Sequence, residues 1–197
     1  MVRSAVTGPE LRRAVSWAAT LNLAWFGVEF AVARAIGSVS LFADSIDFLE
    51  DASINGLILL ALGWGPRRRG ALGLALAAIL LVPALATIRT AWGKFLAPVP
   101  PEALPLSSTA LGALIINLIC ASLLASVRDA AGSLSRAAFL SARNDVLANV
   151  AMIAAGVVTL RWRSVWPDLA VGFGILLVNV DSAREVYQAA CAELRPR

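Results

Sequence analysis

The chain has 197 residues, of which 59% are hydrophobic and 15% are charged, and its mean hydropathy is +0.77. Soluble domains are about 45–50% apolar and about 25% charged, so this composition is typical of a membrane protein and excludes a disordered chain. The 17 Lys and Arg residues outnumber the 13 Asp and Glu residues, but most of the arginines lie between apolar runs rather than in a basic patch. That distribution argues against nucleic-acid binding.

A membrane-spanning helix needs about 20 mostly apolar residues, and several stretches of the chain meet that description. The six predicted helices cover about Ala14 to Ile36, Val39 to Trp64, Ala71 to Trp92, Ser108 to Ser126, Ala137 to Leu160 and Trp166 to Tyr187. We therefore predict an all-α integral membrane protein whose six transmembrane helices form one bundle over residues 14–190. Residues 1–13 and 191–197 are expected to be short tails. The first run is too long and too polar inside for a cleaved signal peptide, so we expect a retained helix.

The basic residues predict the orientation of these helices, because Lys and Arg are enriched at cytoplasmic ends. If the six helices alternate, eleven of the 17 basic residues fall on the side of the two termini, five fall on the opposite side, and Arg143 lies inside the fifth helix. The eleven are Arg3, Arg12, Arg13, Arg67, Arg68, Arg69, Arg128, Arg136, Arg184, Arg195 and Arg197. Both termini should therefore be cytoplasmic. The longest external loop, residues 96–106, holds four prolines and is expected to be extended.

The second helix carries an unusual cluster of acids. Asp44, Asp47, Glu50 and Asp51 fall within eight residues, and each charge at mid-membrane costs about 2.5–3.5 kcal/mol even on the lenient insertion scale. Such a helix needs a wet cavity or a cation beside it. The spacing places Asp44, Asp47, Asp51 and Asn55 on one face, with Glu50 off its edge. Asp44 could cap or kink the start of the helix, or guard the mouth of a cavity.

The fifth helix offers a second set of oxygen atoms. Ser141, Asp145 and Asn149 are spaced by four residues and share a face, while Arg143 points to another side. Two helices that each offer an oxygen pair at i and i+4 can enclose one divalent cation, and an all-oxygen site suits hard or borderline metals. The alternative is structural pairing of acids with bases. Arg143 could pair with Glu50, but no second buried base is left for the other acids.

Other polar residues in the helices have simpler interpretations. Asn22 and Glu29 in the first helix and Asn117 in the fourth are expected to make helix–helix hydrogen bonds. Asp168 follows Pro167 and is expected to complement the dipole at the start of the sixth helix.

Several of these segments together resemble the cation diffusion facilitator family. Leu21 to Glu29, Gly37 to Asp44 and Asp47 to Asp51 resemble the family's first two helices, Ser141 to Asp145 resembles its fifth-helix metal motif, and Trp166 to Gly174 resembles the start of its sixth helix. The likeness spans about residues 14–190, in the order and topology of the family. The second-helix segment is the most specific part.

The resemblance implies a homodimeric exporter of divalent metal that exchanges the metal for protons by alternating access. By position, Asp47 and Asp51 correspond to the second-helix ligands and Asp145 to the second ligand of the fifth-helix pair. Ser141 stands where that pair's first ligand is usually His, Asp or Asn. The family's His-rich internal loop and soluble C-terminal domain are missing, so the expectation is a short form of the family. The Ala- and Arg-rich composition points to a bacterium, and therefore to the inner membrane.

The residue types also bear on the metal. Zinc sites usually contain His or Cys, whereas this chain has no His and its two cysteines, Cys120 and Cys191, lie outside the acid-bearing helices. Carboxylates with a hydroxyl favour manganese or ferrous iron over zinc. Because such a site still binds zinc more strongly than manganese intrinsically, selectivity would come from geometry and availability. No prosthetic group and no enzymatic activity are expected.

Two alternatives stay open. The first is a transport-inactive relative that acts as a partner or regulatory subunit, because Ser141 departs from the family's ligand pattern and the soluble domain is missing. The second is a membrane-embedded, metal-dependent phosphotransferase, since such enzymes also use clustered Asp residues. Their motif, however, opens with an Asp-Gly pair, and this chain contains none.

Overall fold

The computed structural model describes residues 8–61, 71, 74, 85, 87–127 and 133–194, with only the backbone described for 61, 133–143 and most of 179–194. All regular secondary structure in these residues is helical, which confirms the all-α prediction. The long helices are α1 (Gly8–Ile36), α2 (Val39–Ala61), α4 (Ala103–Ala125), α5 (Ser133–Arg161) and α6 (Trp166–Leu194). Residues 87–96 are also helical and are named α3.

Three helices in the described residues are long and apolar enough to cross a membrane. They are α1, α4 and the Asn144–Arg161 portion of α5, and the Trp166–Val178 portion of α6 is a shorter apolar helix. α2 is not among them because its cluster of acids lowers its hydropathy. On α4, the side chains of Leu111, Ile115 and Leu118 are about half exposed along one face. A row of exposed aliphatic side chains of this kind is typical of a surface that faces lipid.

Helix boundaries differ from the predicted ones in two informative places. α1 begins at Gly8, so residues 8–13, which were expected to be a tail, continue the helix, and Glu10 in the first turn complements its dipole. α4 begins at Ala103, so Pro105 lies within its first turn, where no intrahelical partner is lost. The predicted extended loop is therefore shorter than expected, because only residues 97–102 are non-helical.

The helices pack as a bundle in which α1 lies against α2 and α4, α4 lies against α5, and α2 also contacts α5 and α6. The described residues contain three apolar clusters, and the two larger ones form the core of the bundle. One contains Val15 and Ala18 of α1 with Leu124 of α4, and the other contains Leu41 of α2 with Met152 of α5. The helix segments between these clusters hold the buried polar residues, so the acids occupy a layer between two apolar cores.

A tight turn joins α1 to α2. Gly37 has a φ of 63°, a left-handed conformation that glycine adopts without strain from a Cβ atom. The N–H of Ser38 donates to the carbonyl of Ala33 at 3.1 Å, which closes the end of α1. α2 therefore starts within two residues of the end of α1 and runs back along it.

Candidate functional site

Polar side chains from four helices meet in the layer between the apolar clusters. The nearly or fully buried members are Asn22, Glu29, Asp44, Glu50, Asp51, Asn55, Asn117, Asp145 and Asn149. So many buried polar groups are costly in an apolar bundle unless each finds a partner or a ligand. Their contacts therefore show what the layer can bind.

The structure brings the three predicted carboxylate ligands into electrostatic contact across the α2–α5 interface. Asp51 and Asp145 are 4% and 9% exposed, and Asp47 is partly buried. Of the described charged groups, Asp145 has the largest electrostatic effect on Asp47, and Asp51 has the largest effect on Asp145. Ser141 lies in α5 one turn before Asp145, but its side chain lies outside the described residues.

The acids lie near one another but do not form a complete metal-binding site. In the part of the chain that the structure describes, no three Asp, Glu, Cys or His side chains are grouped closely enough to hold a metal ion. The donor chemistry, buried carboxylate oxygens from two helices, fits a hard divalent cation. Binding one here would require the carboxylates to converge, or further oxygens to complete the shell.

Asp51 is held by a chain of hydrogen bonds from two other helices. Asn22 of α1 donates from Nδ2 to the Asp51 carboxylate at 3.4 Å, and the Cys120 thiol of α4 donates to Asn22 Oδ1 at 3.3 Å. The predicted helix–helix role of Asn22 is thus confirmed. The fold also brings a sulfur atom beside the acid layer, a proximity that sequence spacing did not indicate. The sequence argument against zinc assumed that neither cysteine lies near the acids.

Glu29 of α1 lies close enough to Asp44 of α2 for the two acids to interact electrostatically. Both residues are 0% exposed, and none of their four oxygens accepts a hydrogen bond from a donor among the described residues. Two buried carboxylates this close repel each other, so a proton on one of them would stabilise the pair. The predicted helix–helix hydrogen bond of Glu29 is not made to any described residue.

Two further polar side chains in the layer have unsatisfied atoms. Glu50 is 5% exposed and its Oε1 atom has no partner among the described residues. The side chain of its predicted partner, Arg143, is not among the described parts of the structure. Asn117 is 2% exposed and its Nδ2 group likewise lacks a described acceptor. The predicted helix–helix bond of Asn117 is therefore not made through that amide group in the described structure.

Asp168 has a second role in addition to the one predicted. It does lie in the first turn of α6, but its carboxylate accepts four hydrogen bonds from the start of α2. They come from Ser38 Oγ at 2.6 Å, Val39 N at 2.8 Å, Ser40 N at 3.1 Å and Ser40 Oγ at 2.6 Å. The predicted position in the first turn of α6 is confirmed, and the N–H groups that its carboxylate binds belong to α2. Asp168 therefore fixes the start of the acid-bearing helix against α6.

The starts of α2 and α6 pack closely around the buried Asp168 side chain. A Cβ atom on Gly172, one turn along α6, would approach Val39 Cγ1 to 2.8 Å, so only glycine allows this contact. Lys94 at the end of α3 is half buried and donates to the carbonyl of Val99 at 2.7 Å. Burial lowers the pKa of Lys94, and the nearby Asp168 carboxylate opposes part of that change. The ends of α1, α3 and α6 thus converge where α2 begins.

No protein-family model matches the chain, and no curated protein matches it significantly. The resemblance to the cation diffusion facilitators therefore rests on the sequence motifs described above.

Proposed function

We propose that the protein is a divalent cation transporter of the cation diffusion facilitator type, which exports metal from the cell by proton antiport. The observation that carries this proposal is the buried acid layer of α2 and α5. Among the described residues, the charged groups that act on Asp145 are Asp51, Asp44 and Glu50, all of them acidic. Buried like charges of this kind are stable only when protons or a cation neutralise them.

The same oxygens can exchange one kind of cation for the other. A divalent metal that reaches Asp47, Asp51 and Asp145 displaces the protons that these carboxylates hold, and returning protons release the metal. Alternating access requires that the α2–α5 interface open toward one side of the membrane at a time. Asp168 supports such a movement, because it ties the start of α2 to α6 so that the two can move together.

The proposal includes the arrangement in the membrane: six spans, both termini in the cytoplasm, a homodimer and, in a bacterium, the inner membrane. The apolar helices of the described residues are consistent with a membrane protein. A cysteine introduced at Val99 should react with an impermeant reagent added from outside, whereas one at Arg68 should not. The reverse labelling pattern would contradict the orientation.

We further propose manganese or ferrous iron as the preferred substrate, with Ser141 as the fourth, weak ligand. Oxygen ligands alone favour harder ions, and a hydroxyl contributes little to zinc affinity. Wild-type protein in liposomes should therefore give metal-dependent proton flux with Mn²⁺ or Fe²⁺ at concentrations where Zn²⁺ gives less.

The deciding experiment is metal-driven proton flux in proteoliposomes that contain a pH-sensitive dye. D51N and D145N should each abolish the flux while the protein stays folded. Each variant removes a carboxylate that must both neutralise the metal and exchange protons. E50Q should be much milder, because Glu50 lies off the shared face, and E102Q at an exposed position serves as the control. Equal loss from D51N, D145N and E50Q would contradict the assignment of the ligands.

The second candidate is a transport-inactive partner subunit, and the lack of a preassembled three-acid metal group among the described residues favours it. This candidate predicts no flux from wild-type protein with any of the three metals. It also predicts that wild-type protein changes the flux of a transporter reconstituted with it, and that D51N leaves this effect unchanged.

A further inference from the structure

Two buried amides, Asn55 of α2 and Asn149 of α5, each leave one oxygen without a partner. Asn55 is 1% exposed and Asn149 is 0% exposed, and the Oδ1 atom of neither accepts a hydrogen bond from a described residue. In both, Nδ2 donates to the backbone carbonyl four residues earlier, at 2.8 Å to Asp51 and at 2.7 Å to Asp145. These bonds identify the oxygen, because a flipped amide would place two oxygens in contact.

Both amides lie one helical turn from a proposed carboxylate ligand. A buried carbonyl oxygen without a donor is rare, since it loses its hydrogen bonds to water and gains nothing in return. Two such oxygens in equivalent positions, on the two helices that carry Asp51 and Asp145, indicate a shared ligand. Because no donor among the described side chains meets either oxygen, the ligand chemistry they suit best is a cation.

The two amides lie on opposite sides of the Asp51–Asp145 pair, because α2 and α5 run in opposite directions. Leu41, which precedes Asp51, belongs to the same apolar cluster as Met152, which follows Asp145. Asn149 therefore lies toward Asp47, and Asn55 lies in the opposite direction along the interface, toward the level of Ser141.

We propose that Asn149 and Asn55 are oxygen ligands of the transported cation, one on each side of the Asp51–Asp145 pair. This inference rests on the proposed transport function and names the substrate class as a hard divalent ion such as Mn²⁺. Amide oxygens are good ligands for such ions and bring no charge of their own. A cation can thus move from the Asn149 side to the Asn55 side while the two carboxylates stay in contact with it.

The test is Mn²⁺ binding to the whole chain in lipid nanodiscs, measured by calorimetry. The double variant N149A/N55A should weaken Mn²⁺ binding about tenfold or more, and each single Ala variant should weaken it less, because the other amide oxygen remains. N149D and N55D keep an oxygen but lose the N–H donor, so they should bind Mn²⁺ at least as tightly as wild type. If the amides served only the helix backbone through Nδ2, the Asp variants would lose binding as the Ala variants do, and the proposal would be overturned.

The control is N144A, which removes an exposed amide from the same helix as Asn149 and should leave Mn²⁺ binding unchanged. Helical circular dichroism checks that each variant is folded. If an Ala variant does not fold, the Asp variant at the same position serves as the test. Mn²⁺ binding by that Asp variant at wild-type strength supports the ligand role, and loss of Mn²⁺ binding overturns it. Wild-type protein that binds Mn²⁺ while the double variant N149A/N55A binds it equally tightly overturns this inference alone. Wild-type protein that binds neither Mn²⁺ nor Zn²⁺ overturns the proposed function as well.

Discussion

Replacement of Asp168 by alanine should destabilise the protein strongly, because this side chain satisfies the start of another helix. The carboxylate accepts from the N–H groups of Val39 and Ser40 and from the hydroxyls of Ser38 and Ser40. All of these residues are nearly or fully buried, as Ser38, Ser40 and Asp168 are each 0% exposed. In D168A the N–H groups lose their acceptor in a place that excludes water.

The loss in the free energy of unfolding of D168A can be estimated from the groups that are left without hydrogen-bond partners. A buried N–H without an acceptor costs about 1–3 kcal/mol, so two of them amount to about 2–6 kcal/mol. Ser38 Oγ and Ser40 Oγ lie 3.3 Å apart, so one hydroxyl can donate to the other, and only the remaining O–H adds to this cost. D168N keeps one carboxamide oxygen and turns an amide toward the second N–H, so it should lose about half as much as D168A.

The assay is reversible unfolding in mixed micelles, with the free energy of unfolding extrapolated to native conditions. E102A is the matched control, because Glu102 is also acidic and lies at the start of a helix, α4, but makes no capping hydrogen bond. It should change the free energy of unfolding by less than about 0.5 kcal/mol. If D168A unfolds as wild type or E102A does, the four hydrogen bonds contribute nothing to stability and the reasoning is refuted.

Three further predictions concern single residues. E29Q should fold normally and should reduce the infrared carbonyl absorption of buried protonated carboxylic acids, because Glu29 and Asp44 are both 0% exposed and a proton on one of them relieves their repulsion. Absorption equal to that of wild type would show that neither acid of this pair depends on a shared proton. S141H should shift the flux preference toward Zn²⁺, because an imidazole supplies the nitrogen that zinc sites favour, and an unchanged preference would place Ser141 outside the metal's ligand shell. G37A should lower the free energy of unfolding by about 1–2 kcal/mol, because φ is 63° at this position, whereas the same change at Gly8, with open space around it, should have little effect.

Local sequence patterns were sufficient for helices α1, α2, α4, α5 and α6 and for the shared faces of the acids. Runs of apolar residues predict helices wherever a chain must satisfy its own backbone in lipid, and the periodicity of 3.6 residues places Asp47 and Asp51 on one side of α2 in any fold. For the same reason Asp145 and Asn149 share a face of α5. These features depend on residues within a few turns of each other, so they can be predicted without knowing how the helices pack.

Only the tertiary structure decided which helix each polar group meets. Asp168 was assigned to its own helix, yet it caps α2 across 128 positions of sequence, because packing of α6 places its carboxylate beside unsatisfied N–H groups. Cys120 lies near Asp51, and Glu29 meets Asp44, through the lateral arrangement of α1, α2 and α4. Such contacts depend on helix order, direction and axial register, which are set by the packing of whole helix surfaces rather than by the spacing of residues within one helix.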